Sequence, residues 1–374
     1  MSAIRILFKI LSYIIPVSKK IYVFHSFPFY TDNSYAIYQY IRKNYKVNCI
    51  WLVDSKEELQ KVEPCERPKH VYLRYSIKGF WYFFRAKFIF CTHGIFNTIN
   101  LYQNNKIINM WHGMPLKKIG SMDAEFGGEN PTRADYLVAT SKKFQDIMSC
   151  SFGNMDKTRV LITGQPRNDL LFDNTDFFEK HNIERLKYKK VGIWLPTYRK
   201  SYVGDVRQDG AFVEEGISFL TFDQLAQLND FLKMKNDFLI VKLHPMDILQ
   251  QRMFPSFSNI LILKQADLKC QLYPLLGNCD YLLTDYSSVW VDYEIMDKPI
   301  GFVMDDIEQY RSSRGFNFDN MDKILPGPIL SSLDSLISFC ETPEKYNYKR
   351  TNLFKEYKDN KSSQRLMEAL NKIS

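Results

Sequence analysis

Short apolar runs alternate with segments of helical spacing along most of the chain. The runs predict strands buried on both faces, and the segments between them repeat apolar residues every three to four positions, as helices do. The predicted strands are 21–27, 48–53, 70–74, 88–93, 107–111, 136–139 and 160–163, followed by 191–195, 238–243, 260–263, 281–284 and 300–303. The predicted helices are 35–41, 77–84, 222–232, 268–276 and 289–296. This alternation indicates parallel sheets covered by helices on both faces.

The two series of strands predict an α/β protein with two doubly wound, Rossmann-like domains. A length of 374 residues fits two domains at roughly 150 residues each. The join is expected in the polar stretch 173–190. The predicted division is an N-terminal segment, 1–20, a first domain, 21–180, and a second domain, 181–374. Ligands of such domains bind at the carboxyl ends of the strands, where the loops converge.

The N-terminal segment has an amphipathic pattern that stops at Pro16. Its apolar stripe is too short to span a bilayer. Two interpretations stay open: a helix lying in a membrane interface with its cations toward anionic lipid, or a helix packed on the core of the first domain. The stripe and the cations near it are Ile4, Leu7, Phe8, Leu11, Ile14 and Ile15, with Arg5, Lys9, Lys19 and Lys20. The aromatic-rich segment 77–85 is a second candidate for membrane contact.

The net charge, the cysteines and the absence of common motifs exclude only a few classes of function. The net charge of +8 favours anionic partners such as phosphates, nucleic acid or acidic lipid, but it also fits an ordinary solvated surface on a chain of this length. Seven scattered cysteines without a CxxC pair predict free thiols and a reducing compartment. The sequence has no cleavable leader pattern and no P-loop, GxGxxG, GxSxG or HExxH motif. We therefore expect a cytoplasmic protein without a sequence-encoded metal cluster.

Two histidines follow predicted strands, one in each domain. His112 ends the first-domain strand and precedes Gly113 and Lys117, while His244 ends a second-domain strand and is followed by Pro245. Histidine can act as a base near neutral pH, glycine lets a backbone approach a ligand, and lysine neutralises phosphate oxygens. A single histidine at a strand end is more often a packed structural residue than a catalytic one. Together they favour a site in which the two would face each other across a cleft.

Further polar turns follow other predicted strands. The turn TDYSS at 284–288 precedes a helix, so its hydroxyls serve either as a simple N-cap or as part of an anion site. Single arginines follow three more segments, and arginine is well suited to bidentate phosphate contact. These arginines are Arg167, Arg199 and Arg314.

In this order, the motifs resemble the CDP-glycerol glycerophosphotransferase family, which includes teichoic acid primases and polymerases and related capsule enzymes. The matching stretches are Asp32-Asn33, WHGMPLK at 111–117, GQPRND at 164–169, PTYR at 196–199, KLHP at 242–245, TDYSS at 284–288 and RGF at 314–316. They extend over nearly the whole chain. Met114 stands where the family usually has threonine. Lys200 stands where many members have aspartate, which puts an acidic role at that turn in doubt.

The resemblance implies a glycosyltransferase fold of the B type and transfer of glycerol phosphate from CDP-glycerol to a hydroxyl, with release of CMP. It implies a lipid-linked acceptor, an anionic membrane surface at the cytoplasmic face and no nucleic acid partner. His112 would be the general base and His244 a second catalytic residue. The implied substrate-binding residues are Gly113, Lys117, Arg167, Asn168, Asp169, Thr197, Arg199, Thr284, Asp285, Ser287, Ser288 and Arg314. No metal is required, although a divalent cation stays open.

Three alternatives remain at this point. The donor could be another CDP-polyol such as CDP-ribitol, or the enzyme could transfer a sugar on the same fold. A third alternative is a non-catalytic membrane- or nucleic-acid-binding module that uses the positive charge. Against the third, the basic residues occur singly beside histidine and glycine at strand ends rather than in a run with interleaved aromatics.

Overall fold

The computed structural model of the chain describes residues 3–101, 103–123, 132–198, 216–304, 317–318, 321–346, 348 and 353–373. It divides into two compact units. Unit 1 comprises Met1–Pro115, Ile119–Leu170 and Leu353–Ser374, and unit 2 comprises Leu116–Lys118 and Leu171–Asn352. Each unit is built on a parallel sheet of its own.

Unit 1 contains a seven-stranded sheet in the order β3-β2-β1-β4-β5-β6-β7, with every neighbouring pair parallel. Its elements are α1 (Ala3–Ile14), β1 (Ser18–His25), α2 (Asp32–Asn44), β2 (Asn48–Val53), α3 (Lys56–Gln60), β3 (Val71–Leu73), α4 (Ile77–Arg85), β4 (Ala86–Cys91), β5 (Lys106–Asn109), β6 (Tyr136–Ala139), α5 (Lys142–Ser151) and β7 (Val160–Ile162). A C-terminal helix of the chain also belongs to this unit.

Helices cover both faces of the unit 1 sheet, and β1 shows why. Its side chains alternate, so that Tyr22 and Phe24 pack with Trp51 on one face while Ile21 and Val23 pack on the other. Residues of α2 lie in the first of these cores, and residues of α1 and α4 lie in the second. Burial on both faces explains why the strands read as uninterrupted apolar runs.

Unit 2 contains a six-stranded sheet in the order β12-β11-β8-β13-β14-β15, again parallel throughout. A small antiparallel hairpin, β9-β10, lies outside it. The elements are α6 (Phe177–Lys180), β8 (Val191–Leu195), β9 (Gly216–Ile217), β10 (Leu220–Thr221), α7 (Phe222–Lys235), β11 (Phe238–Lys242), β12 (Ile260–Leu263), α8 (Leu272–Asn278), β13 (Tyr281–Thr284), α9 (Val289–Tyr293), β14 (Ile300–Val303), α10 (Met321–Ile324), β15 (Ile329–Leu330) and α11 (Leu333–Glu341).

The unit 2 sheet is likewise buried on both faces. Trp194 and Val241 lie in one core with residues of α7 and α11, and Ile193 and Ile240 on the opposite face are fully buried. The α/β fold class expected from the sequence is therefore confirmed. Six strands, β2, β6, β8, β12, β13 and β14, have the bounds that the apolar runs predict.

The last helix, α12 (Ser362–Ile373), returns to unit 1, whereas the sequence-based division assigned residues 353–374 to the second domain. The Asp169 carboxylate accepts the backbone N–H groups of Ser362 and Ser363, each at 2.8 Å. Leu366 and Leu370 then enter the core of unit 1. The helix is therefore held in unit 1 by a cap from a residue distant in sequence and by the packing of its own apolar face.

Helix α1 packs on the core of unit 1, which was one of the two interpretations that the sequence left open, and membrane contact by its outer face stays a prediction. Its inner face packs on unit 1, where Phe8 lies 5.0 Å from Phe80 of α4 between ring centroids, and Ile15 just beyond the helix is in the core. Its outer face exposes five large apolar side chains, of Ile6, Leu7, Ile10, Tyr13 and Ile14. Among the described helices, none is long and apolar enough to cross a bilayer.

Candidate functional site

The turn after β5 carries His112 and is fixed by its own backbone and by Asn33. Trp111 and Gly113 have φ angles of 56° and 138°, a region that glycine enters without strain. The backbone N–H of Trp111 donates to Asn109 Oδ1 at 3.0 Å, and Asn33 Nδ2 donates to the Trp111 carbonyl at 2.9 Å. These bonds hold the turn that presents His112 at the carboxyl end of the sheet.

His112 is held in a defined tautomer. Its Nδ1 lies 3.3 Å from the carbonyl oxygen of Thr92, and because a carbonyl only accepts, we assign the ring hydrogen to Nδ1. This assignment leaves the lone pair on Nε2. The ring keeps a solvent-exposed edge, but the protein around it, followed by the nearby His93 ring, lowers the pKa of His112 to about 3. The imidazole is therefore neutral at physiological pH, as a general base must be.

His93 stacks on His112 almost face to face, with ring centroids 3.9 Å apart and planes inclined by 5°. Burial also lowers the pKa of His93, to about 4, with the nearby His25 ring acting in the same direction. The third ring, of His25, is buried and donates from Nδ1 to the Leu52 carbonyl at 3.0 Å. Unit 1 thus brings together three neutral histidines.

Arg167 forms an ion pair and a hydrogen bond within unit 1. Its guanidinium lies 3.1 Å from both carboxylate oxygens of Asp32, and its backbone N–H donates to Asn33 Oδ1 at 3.0 Å. Asn33 consequently ties the 164–169 turn to the turn of His112. The Asp32 partner compensates much of the positive charge that the sequence assigned to phosphate binding.

The next two residues of this turn have different environments. Asn168 is fully buried, and neither its Oδ1 nor its Nδ2 has a hydrogen-bond partner among the described residues, which is costly unless water or a ligand supplies one. Asp169, by contrast, uses its carboxylate to cap α12. Asp169 has a structural role as a helix cap, and for both Asp169 and Asn168 the contact with substrate stays a prediction.

His244 of unit 2 has the opposite tautomer to His112. Its Nδ1 accepts the backbone N–H of Met246 at 3.2 Å, so the ring hydrogen lies on Nε2. The ring contacts Tyr198 with centroids 4.9 Å apart. Burial, with smaller contributions from Lys242 and Lys117, lowers the pKa of His244 to about 3. A neutral ring with a hydrogen on Nε2 is suited to donate to an anion.

Lys242 and Lys117 supply positive charge beside His244. Lys242 is buried, donates from Nζ to Gln265 Oε1 at 2.6 Å, and has its pKa lowered to about 8 by burial. The carbonyl of Lys117 accepts from Asn317 Nδ2 at 2.7 Å, which anchors the backbone of this residue within unit 2. A buried lysine without a described carboxylate partner is a strong candidate for an anion contact.

Three residues predicted to bind substrate connect β8 to β13, and their contact with substrate stays a prediction. Thr284 is buried and donates to the Leu195 carbonyl at 3.0 Å. Asp285 is also buried and accepts from Thr197, at 3.0 Å from the backbone N–H and 2.9 Å from the hydroxyl. These bonds shape the turn after β8, which is the turn that leads to Tyr198.

Ser287 and Ser288 lie at the beginning of α9 and are half-buried. Ser287 Oγ accepts the Val289 N–H at 3.4 Å, whereas the Ser288 side chain makes no capping bond. Helix α9 continues as a 3-10 turn over Glu294–Met296, so the whole predicted segment 289–296 is helical, although only its first five residues are α-helical. Any anion contact here depends on the two hydroxyls and the local N–H groups.

Some predicted site residues cannot be placed. Arg199, Lys200 and the RGF motif with Arg314 lie outside the described residues. Within the described part of the chain, no group of three or more His, Cys, Asp or Glu side chains could hold a metal ion. All seven cysteines are free.

Sequence reasoning gave no role to four residues that the structure brings into these clusters: His25, His93, Asp32 and Lys242. A signal existed for His93, because it ends the predicted strand 88–93 just as His112 follows 107–111. Lys242 and Asp32 lay inside quoted motifs. The involvement of His25 depends on the order of strands in the sheet, which the sequence does not state.

Comparisons with known proteins identify relatives that match most of the chain. The family model for CDP-glycerol:poly(glycerophosphate) glycerophosphotransferase matches residues 7–372. The teichoic acid poly(glycerol phosphate) polymerase of Bacillus spizizenii is 28% identical, over 91% of this chain and 88% of the relative. The teichoic acid poly(ribitol-phosphate) polymerase of the same organism is 27% identical, but the match covers 78% of this chain and 47% of the relative.

A solved structure shares the fold. A histidine-to-alanine variant of the wall teichoic acid polymerase TagF superposes with a TM-score of 0.77 at 24% identity, over 99% of this chain and 92% of that one. The glycosyltransferase-B-like fold expected from the sequence is confirmed by this similarity.

Proposed function

Because the chain belongs to the CDP-glycerol:poly(glycerophosphate) glycerophosphotransferase family, we propose that it transfers glycerol phosphate from CDP-glycerol to a hydroxyl of a lipid-linked acceptor in the synthesis of a teichoic acid-type polymer. The observation that carries this proposal is the family match across residues 7–372. The opposite tautomers of His112 and His244 support it, because the reaction needs one proton acceptor and several donors to phosphate.

In the proposed reaction, the acceptor hydroxyl attacks the β-phosphorus of CDP-glycerol and its proton passes to Nε2 of His112. The new bond joins the acceptor oxygen to the β-phosphorus. The bond from this phosphorus to the oxygen bridging it to the α-phosphate breaks, and CMP leaves with that oxygen. The lone pair on Nε2 supports its role as general base.

Unit 2 would hold the donor diphosphate. The Nε2 hydrogen of His244 and the ammonium groups of Lys242 and Lys117 provide donors and positive charge for the oxygens on which charge develops. Ser287 and Ser288 add hydroxyl donors in the same unit. Fixed donors of this kind can stabilise a phosphoryl-transfer transition state without reorganising.

The outer face of α1 would bring the enzyme to a membrane surface. Its five exposed apolar side chains form a strip along one helix, and α4 beside it exposes Ile77 and Trp81. Lys9 on α1 and Arg85 on α4 place positive charge near this strip. An amphipathic helix of this type binds the interface of anionic bilayers. Localisation at the cytoplasmic face of the membrane is part of the proposal.

A ribitol donor is the second candidate, favoured by the 27% identity to a poly(ribitol-phosphate) polymerase. The purified protein should be given membrane extract with CDP-glycerol or with CDP-ribitol, and the acceptor products should be compared by mass spectrometry. We expect the product from CDP-glycerol. Transfer from CDP-ribitol alone would show that the donor is CDP-ribitol. If neither donor supports transfer but CDP-glycerol still binds, the proposed acceptor is wrong.

A further inference from the structure

Lys242 and Arg167 are cations of two sequence motifs, but their partners differ in charge. The guanidinium of Arg167 in unit 1 lies 3.1 Å from both carboxylate oxygens of Asp32. Lys242, the last residue of β11, donates from Nζ to the amide oxygen Oε1 of Gln265 at 2.6 Å. A carboxylate partner compensates a cation, whereas an amide oxygen accepts the hydrogen bond and leaves the charge in place. Residue 265 therefore decides how much of the Lys242 charge a ligand encounters.

Burial increases the consequence of this neutral partner. Lys242 is 6% exposed, and within the described part of the chain no carboxylate pairs with it. Burial lowers the pKa of Lys242 to about 8, so most of the ammonium is still protonated at pH 7. Charges interact more strongly away from water than in it. A buried ammonium beside an amide is therefore ready to be stabilised by an anionic ligand.

Gln265 is held in position by a second glutamine. It follows β12, which pairs with β11 in the sheet, and its backbone N–H donates to Gln250 Oε1 at 2.9 Å. The other end of the Gln250 amide, Nε2, donates to the His244 carbonyl at 2.9 Å. The two glutamines thus connect the turn that carries His244 to the side chain that holds Lys242.

Stability of the fold does not explain an amide at position 265. Glutamate has the same length as glutamine and could accept the same hydrogen bond from Lys242. Its charge would also compensate the buried ammonium, which an amide leaves without a counter-charge. For Lys242 in the absence of a ligand, glutamate would be the better partner. The neutral side chain is instead suited to a site in which the counter-charge comes from a bound anion.

We propose that Gln265 is a positioning residue for the donor, which fixes the Lys242 ammonium at the end of β11 through a neutral contact and so reserves its charge for the diphosphate of CDP-glycerol. The inference deepens the function given above and rests on it, because it takes the anion at Lys242 to be the donor. Gln265 acts through Lys242 rather than by touching the donor.

Two substitutions separate the charge of the partner from its hydrogen bond. Gln265→Glu keeps the length and the acceptor and adds a negative charge. Gln265→Met keeps a similar length, removes the acceptor and adds no charge. Gln227→Glu is the matched control, because Gln227 is an exposed residue of α7 and the substitution adds the same charge to unit 2. Thermal unfolding checks that each variant folds.

Calorimetry with CDP-glycerol gives the main readout. We expect Gln265→Glu to weaken binding at least tenfold, the scale of one lost hydrogen bond to a charged group, because the carboxylate compensates Lys242. Gln265→Met should weaken binding only about threefold, since Lys242 keeps its charge and loses one neutral contact. Gln227→Glu should bind normally. With membrane extract as acceptor, Gln265→Glu should raise the KM for CDP-glycerol and leave the KM for the acceptor unchanged.

A residue that only held Lys242 in place would give the reverse order, because glutamate retains the hydrogen bond and methionine loses it. A loss of CDP-glycerol affinity in Gln265→Met that equals or exceeds the loss in Gln265→Glu would therefore overturn the inference. Normal CDP-glycerol binding by folded Gln265→Glu would also overturn it. A wild-type protein that binds CDP-glycerol and releases CMP while its variants show either result would retain the proposed function. Absence of CDP-glycerol binding by the wild type would remove the function and this inference with it.

Discussion

The rings of His93 and His112 stack in parallel, with centroids 3.9 Å apart. Two imidazolium ions at this distance would repel each other, so protonation of one ring opposes protonation of the other. This coupling favours the neutral form of His112 that a general base requires. In the proposed mechanism, His93 would position the ring of His112 and help to keep it neutral.

The acid limb of the pH profile tests this relationship. A histidine with a lowered pKa stays deprotonated as pH falls through 6.5, the usual histidine value. The enzyme should lose activity only when the pH approaches the lower pKa of His112. We therefore expect kcat/KM for CDP-glycerol to hold constant to below about pH 6. In His93→Asn, loss of the neighbouring ring should raise the pKa of His112 and move the limb toward higher pH. A wild-type limb centred at 6.5 or above, or an unmoved limb in the variant, would contradict the coupling.

The tautomer of His244 predicts which substitutes preserve donor binding. In His244→Gln, the side-chain amide can place an N–H near the position of Nε2–H, whereas His244→Ala removes the donor. A hydrogen bond to a charged group contributes about 1.5–3 kcal/mol, so alanine should weaken CDP-glycerol binding by roughly tenfold to a hundredfold and glutamine by much less. Calorimetry with both variants makes the comparison. Equal losses in the two variants would show that the Nε2 hydrogen is not what holds the donor.

The serine pair tests whether the turn before α9 contacts the donor. Replacing Ser287 and Ser288 by alanine removes two hydroxyls, and with about 1 kcal/mol for each lost hydrogen bond, the affinity for CDP-glycerol should fall at least fivefold. Thr221→Ala is the control, because Thr221 caps α7 through the Gln224 N–H. That variant should lose about 1 kcal/mol of unfolding free energy and bind CDP-glycerol normally. Normal affinity for CDP-glycerol in the serine variant would show that the turn only caps the helix and does not contact the donor.

The two faces of α1 predict different consequences for changes in the N-terminal segment. Deleting residues 1–18 removes Phe8 and Ile15 from the core of unit 1, so it should destabilise the fold as well as membrane binding. Ile10→Glu with Ile14→Glu changes only exposed positions and should reduce binding to anionic vesicles at least tenfold, because apolar burial is lost and charge is repelled.

The control places two glutamates on exposed apolar positions of unit 2, Leu186→Glu and Met253→Glu, which are 98% and 92% accessible. Vesicle flotation at low and high salt compares the proteins, and thermal unfolding checks the fold. Wild-type binding should also weaken as salt rises. Equal flotation of the α1 variant and the control would remove the proposed membrane surface.

The strands were predicted well because they are buried on both faces. Apolar runs identified five of the six strands of the unit 2 sheet, four of them with the observed bounds. Helix α1 was harder, because the apolar stripe of the sequence includes residues of both its inner and its outer face. Its inner residues, such as Phe8, and its outer residues, such as Ile10, differ only in what the fold places beside them.

The sequence identified candidate site residues at strand ends, but it did not show which partners their side chains would contact. Strand ends are visible in a sequence, so His112 and His244 could be identified. Whether a polar side chain faces a ligand or a neighbouring backbone depends on strand order, and Thr284 and Asp285 turned out to bond β8 and its turn. The same dependence hid His25, which reaches the Leu52 carbonyl of β2 and lies beside Arg74 because β1 and β2 are neighbours in the sheet.

The most direct test of the account is CMP release by the purified protein with CDP-glycerol and membrane extract, measured for wild type and His112→Ala. Circular dichroism and CDP-glycerol calorimetry should first show that the variant folds and binds donor. We predict that wild type releases CMP as the acceptor gains glycerol phosphate units, and that His112→Ala does so at a rate lower by about 10² or more, the usual scale for loss of a general base. Near-normal CMP release by the folded His112→Ala protein would contradict the account.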